Sequence, residues 1–204
     1  MGAKKRKRPG LPTLDPYLAF LIFAGVGVGT LRLGIEVRSV ILWSTLLGLC
    51  LYHAEEGGIE ARYSLANLGY GAAIGLIVSL PFALLAGDAL RATSAKLFPA
   101  ASRAALFQSL VFLAAPAEEL YFRGFLQRER GLPSAALLYA LGMAILFLPA
   151  FSGFPLILAA VTGAMGLLGF IYGYVYHRHG LSASIACHAV ANAMLFFAPF
   201  LLGG

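Results

Sequence analysis

The run Leu106-Phe-Gln-Ser-Leu-Val-Phe-Leu-Ala-Ala-Pro-Ala-Glu118-Glu119-Leu-Tyr-Phe-Arg123-Gly-Phe125 makes two opposed demands. It has the length of a membrane-spanning helix, which takes about 20 predominantly apolar residues. It also carries two adjacent carboxylates and an arginine. One ionisable side chain at the centre of a span costs at least about 2.5–3.5 kcal/mol, so such groups persist only with a partner or a task.

The rest of the chain supports the membrane reading. Of 204 residues, 60% are hydrophobic and 12% charged, with a mean hydropathy of +0.83. Soluble domains carry about 25% charged residues. A globule this poor in charge could not cover its own surface with polar groups. Seven apolar runs of spanning length lie roughly at 16–34, 38–53, 68–87, 105–127, 133–151, 155–176 and 181–202. They are continuously apolar rather than alternating, which excludes a β-barrel. The expected fold is all-α, a polytopic transmembrane helix bundle of about seven spans. Residues 1–15 read as a basic cytoplasmic segment, and 16–104 as three spans followed by an interfacial stretch from Asp88 to Arg103. The remaining four spans occupy 105–204.

Charge placement gives an orientation. Five of the fifteen Lys and Arg residues are Lys4, Lys5, Arg6, Lys7 and Arg8, a cluster beside the first span that reads as a topology signal rather than a nucleic-acid patch. With that end inside, Arg62, Arg128, Arg130 and Arg178 share its side, against Arg32, Arg38, Arg91, Lys96 and Arg103 on the other. Nine against five favours a cytoplasmic N-terminus. Cys50 and Cys187 lie in apolar runs and form neither a disulfide framework nor a zinc spacing. Gly25, Gly27, Gly29, Gly163, Gly166 and Gly169 suit close helix approach. No internal repeat points to an inverted-repeat transporter.

Seven of the nine acidic residues fall at span ends or in loops; Glu118 and Glu119 do not. Arg123 follows Glu119 by four residues, so the two share a helix face and can pair. Glu118 points about 100° away and is left without a partner by this spacing. A carboxylate stripped of water holds a proton more readily, which suits a general base. In the last span His188 and Asn192 are also four apart and project from one face. Together they can offer two converging donors to a developing oxyanion. Each pair also has a plain structural role open to it, as an ion cluster or as polar glue between helices. His188 lies about 10 Å, and Glu118 about 14 Å, from the same end of their spans. The expectation is one cavity reached from the cytoplasm.

Glu118-Glu119-Leu-Tyr-Phe-Arg123 has the form E-E-x-x-x-R, and His188-Ala-Val-Ala-Asn192 the form H-x-x-x-N. In this order, with Arg123-Gly-Phe-Leu-Gln and Gly173-Tyr-Val-Tyr-His-Arg-His-Gly-Leu-Ser beside them, they resemble the CPBP family. That family contains the CAAX prenyl endoproteases and the bacterial bacteriocin-processing and immunity (Abi) proteins. The resemblance implies an intramembrane glutamic endopeptidase. In it Glu118 would activate water, Glu119 and Arg123 would hold the site together, and His188 and Asn192 would stabilise the tetrahedral intermediate. It further implies a peptide or protein substrate at the membrane and a prokaryotic cytoplasmic (inner) membrane. The lipid bilayer is the other partner, with no role for nucleic acid.

One motif departs. The family's F-x-x-x-H matches Phe147-Leu-Pro-Ala-Phe151, with Phe151 in place of a histidine that would help polarise water. A zinc site thereby loses a ligand, so neither a metal nor another cofactor is expected. His177 and His179 read as interfacial, and His53 near Glu55 and Glu56 is at most a weak metal site. Cys187 adjoins His188 but points about 100° away. Three functions follow: a protease, a non-catalytic relative that binds a peptide or lipidated protein, and a transporter or proton relay built on Glu118, Arg123 and His188.

Overall fold

The computed structural model describes residues 14–57, 64–99 and 102–202, which leaves the basic cluster at residues 4–8, together with Glu60 and Arg62, outside the described residues. Helix α1 (Pro16–Gly29) starts where the Asp15 carboxylate accepts the N–H groups of Tyr17 and Leu18, with Pro16 at a position where its missing N–H costs nothing. Then follow α2 (Ile35–Gly57), α3 (Leu65–Leu85) and the surface helix α4 (Gly87–Leu97). The rest is α5 (103–130), α6 (132–151), α7 (Pro155–His179) and α8 (Leu181–Leu201). No strand occurs among the described residues.

Two glycines set the turns. Gly131 (φ 80°) separates α5 from α6, and Gly180 (φ 84°) separates α7 from α8. Both need the left-handed backbone that only glycine adopts at little cost. Among the described residues, five helical runs are long and apolar enough to cross a membrane, one of them the pair α5–α6. α1 is shorter than its expected 16–34. Its 14 residues rise about 21 Å at 1.5 Å each, because the chain turns at Thr30, whose hydroxyl donates to Val26 O at 2.8 Å.

α3 and α8 run parallel in close contact. A Cβ at Gly71 or Gly75 would run into the backbone carbonyl of Ala183 or Cys187. This G-x-x-x-G face lets the backbones touch, the arrangement small residues permit in lipid. The glycines singled out by sequence divide: Gly27, Gly166 and Gly169 sit at tight contacts, whereas Gly25, Gly29 and Gly163 face open space.

Arg38 corrects an expectation. It is not an outer-surface charge but fully buried, donating to Leu146 O at 2.6 Å, Ile145 O at 2.6 Å and Gly27 O at 2.9 Å. Pro149 explains part of this. It has no N–H to offer the carbonyl four residues back, Ile145 O, and a buried carbonyl needs a donor. Arg38 supplies it and joins α1, α2 and α6.

Candidate functional site

The two glutamates sit on a short α-helical turn of α5, Ala115–Glu119, between wider π-helical stretches at Ser109–Ala114 and Leu120–Gln127. Pro116 at the start of that turn donates no backbone hydrogen bond, which accommodates the change of pitch. Glu118, Glu119, Arg123, His188 and Asn192 are all buried.

Glu119 is saturated. One oxygen lies 3.2 Å from Arg123 Nη1 and 2.8 Å from His188 Nδ1; the other accepts from the Ser184 hydroxyl. Ser184 also lies 2.9 Å from Tyr172 O. Arg123 donates to Gly169 O at 2.8 Å and packs its guanidinium over Tyr139 at 4.6 Å and Tyr172 at 5.5 Å. The Glu119–Arg123 pair is the one the four-residue spacing predicts.

Glu118 is placed differently. The expectation that it lacks a partner is corrected: Trp43 Nε1, on α2, donates to Oε1 at 2.8 Å, and His188 Nε2 lies 3.6 Å from Oε2. The Tyr139 hydroxyl lies 3.5 Å from the same His188 nitrogen. Tyr172 stacks on the imidazole at 4.4 Å and fixes its plane. Nδ1 at Glu119 and Nε2 toward Glu118 thus give His188 one carboxylate on each side. Asn192 Nδ2 donates to Leu110 O at 3.1 Å, and its second N–H is left over by valence.

Glu118, His188 and Asn192 line one cavity with Trp43, Tyr139 and Phe147. It measures about 20 Å³, and roughly 10–15 Å³ on this measure admits one water. Phe147 is on its wall, whereas Phe151 is not and lies buried one turn on, with Lys96 Nζ 5.1 Å from its ring centre.

Beyond Glu118 and His188, toward the Gly131 and Gly180 turns, Tyr121, Phe122, Phe125 and Leu126 are fully buried. The other cavity walls, Leu110, Leu146, Phe147 and Phe196, lie toward the α4 end. The cavity therefore reaches away from the end that carries Arg128, Arg130 and Arg178.

Other sequence candidates fall elsewhere. His53 stacks on Phe125 at 4.0 Å, and His179 on Tyr70 at 5.3 Å. The Cys187 backbone packs against Gly75 of α3. The side chains of Glu55 and Glu56 lie outside the described residues. No group of three or more metal-ligating side chains is placed to hold an ion among the described residues.

Sequence reasoning missed Trp43, Tyr139, Tyr172 and Ser184. Signals existed for two of them. Trp43 is the one tryptophan, and a buried indole N–H seeks an acceptor. Ser184 stands four residues before His188, extending the polar stripe of α8 by a turn. Residues 99–194 match the family model described as type II CAAX prenyl endopeptidase, Rce1-like. No curated protein and no solved structure matches the chain.

Proposed function

Because the chain belongs to the CPBP family through its Rce1-like segment at residues 99–194, a family of CAAX-type membrane proteases, we propose that it is an intramembrane glutamic endopeptidase. One observation carries the reading. Glu118 borders a space the size of one water while its neighbour Glu119 is consumed by Arg123, Ser184 and His188.

In this mechanism a water in the cavity attacks the scissile carbonyl as Glu118 takes its proton. The Trp43 bond to Oε1 leaves Oε2 to face the water. The oxyanion of the tetrahedral intermediate accepts from the spare N–H of Asn192 and from His188 Nε2 in its protonated form, with Nδ1–H held by Glu119. Glu118 then returns the proton to the leaving nitrogen as the C–N bond breaks. The carboxylate and imidazole perform these steps without a bound metal or another cofactor.

The substrate is a membrane-associated peptide or protein, and nucleic acid has no role. The setting is a prokaryotic inner membrane with the N-terminus cytoplasmic. A second reading rests on Phe151, which stands where the family motif carries a histidine: a catalytically impaired relative that binds a peptide or lipidated protein, as an immunity protein would.

Cleavage of membrane-anchored peptide libraries by the purified full chain tests both. Glu118→Gln lowers cleavage by about 10²–10⁴-fold, the usual contribution of a general base, with the melting temperature unchanged. Cleavage retained in Glu118→Gln removes that residue from its role. An inert wild type alongside an active Phe151→His establishes the binding reading.

A further inference from the structure

Helix α6 gives the water-sized cavity four wall residues, Tyr139, Met143, Leu146 and Phe147, of which Tyr139 alone carries a side-chain hydrogen-bond donor. Packing holds its ring in place. The Arg123 guanidinium lies over it at 4.6 Å, Phe122 and Tyr172 meet it edge-on at 5.2 and 6.3 Å, and a Cβ at Gly169 would collide with it. The position of the hydroxyl is fixed in turn, 3.5 Å from His188 Nε2 and within hydrogen-bonding reach of Glu118.

Packing does not explain the hydroxyl itself. Phenylalanine would fill the same slot, and a buried hydroxyl costs free energy unless it is well bonded. At 3.5 Å the contact with Nε2 is at the outer limit of a hydrogen bond. Catalytic hydrogen bonds are often this long without substrate and tighten in the transition state. In the protonated form of His188, Nε2 carries a hydrogen and accepts nothing, so the phenol proton has no acceptor on the imidazole. As Glu118 takes the water's proton, its negative charge passes to the carbonyl oxygen. A donor within reach follows the charge, because hydrogen bonds to ionised groups are the stronger ones.

We propose that Tyr139 is a further catalytic residue, whose hydroxyl donates a hydrogen bond to the oxyanion beside Asn192 and His188. It supplies from α6 the polar contact that Phe151, on the same helix, cannot give. The role rests on the protease reading, and no bond to Tyr139 forms or breaks.

Tyr139→Phe in the full chain keeps the ring and removes the hydroxyl. Loss of one oxyanion donor lowers kcat by about 10²–10³-fold, while KM and the melting temperature hold. Tyr121→Phe is the control. Tyr121 is also fully buried, but its hydroxyl donates to Pro16 O at 3.3 Å, outside the cavity, so kcat is unchanged. Equal losses in the two variants overturn the proposal. A peptidyl phosphinate, whose charged oxygen stands where the oxyanion forms, separates contact with the oxyanion from service to Glu118. Its Ki rises in Tyr139→Phe by the factor by which kcat/KM falls, as a transition-state analogue requires. A fall in kcat with Ki unchanged means that the hydroxyl orients Glu118, and overturns the oxyanion role. Unchanged kcat in Tyr139→Phe beside an active wild type overturns the proposal and leaves the protease reading intact. An inert wild type removes that reading and the proposal with it.

Discussion

Around the Gly131 and Gly180 turns, Tyr121, Phe122, Phe125 and Leu126 are packed out of solvent contact. Toward α4, residues of the same kinds, Trp43, Phe98 and Phe147, stand apart and enclose space. Glu118 and Glu119 are neighbours in sequence, yet the boundary between the two halves runs between them. Glu119 turns into the packed half and meets three fixed partners there. Glu118 turns toward the open half and meets one indole N–H and an imidazole across the cavity. One residue of helical rotation, about 100°, thus divides a carboxylate that holds the structure from one available for chemistry.

The comparison breaks most sharply at Arg123. Arg123→Ala leaves Glu119 buried without its guanidinium, and removing one partner of a buried pair costs about 3–5 kcal/mol. Thermal unfolding in detergent is expected to show a large drop in melting temperature, where Glu118→Gln shows none. An unchanged melting temperature would mean that Ser184 and His188 alone satisfy Glu119. The double change Glu119→Gln with Arg123→Met recovers part of the lost stability, since no unpaired charge remains. It leaves cleavage low, because His188 Nδ1 has lost its carboxylate.

A smaller effect belongs to the α3–α8 contact, which carries the His188 helix. Gly75→Ala adds a methyl where the Cys187 carbonyl lies, so the helices must part. Overpacking of this kind costs about 1–3 kcal/mol, read as a lower melting temperature. Gly29→Ala, at a position facing open space, is the control and leaves it unchanged.

What the sequence revealed follows from the same physics. Charges in a span must be paired, so Glu119 with Arg123 was legible from four-residue spacing alone. The His188–Asn192 face was legible for the same reason, and the family match covers both motifs. The helix count was legible because lipid demands long apolar runs. Arg38 and Trp43 were not legible in their roles. Their partners, at Leu146 and Glu118, lie 108 and 75 residues away in sequence, and helical periodicity says nothing about which helices meet. The direction in which the cavity extends was not legible for a related reason. Distance from a span's end measures depth, but side-chain volume decides which end is filled. Gly71 and Gly75 stood in the sequence as G-x-x-x-G, yet their spacing alone does not distinguish them from glycines that face lipid.

Trp43 tests the division at its finest. It reaches the reacting carboxylate from the first half of the chain, and it also stands between the larger cavity beside Glu36 and Ser109 and the water-sized space. Trp43→Phe keeps an aromatic wall and removes the N–H. A hydrogen bond to a charged group contributes about 1.5–3 kcal/mol, and 1.36 kcal/mol is a factor of ten in rate. If the indole does no more than orient Oε1, kcat falls about tenfold with KM unchanged. If its main role is to keep the two spaces apart, KM changes and kcat holds. Steady-state kinetics of this one variant therefore tell whether α2 serves the carboxylate or the division between the spaces.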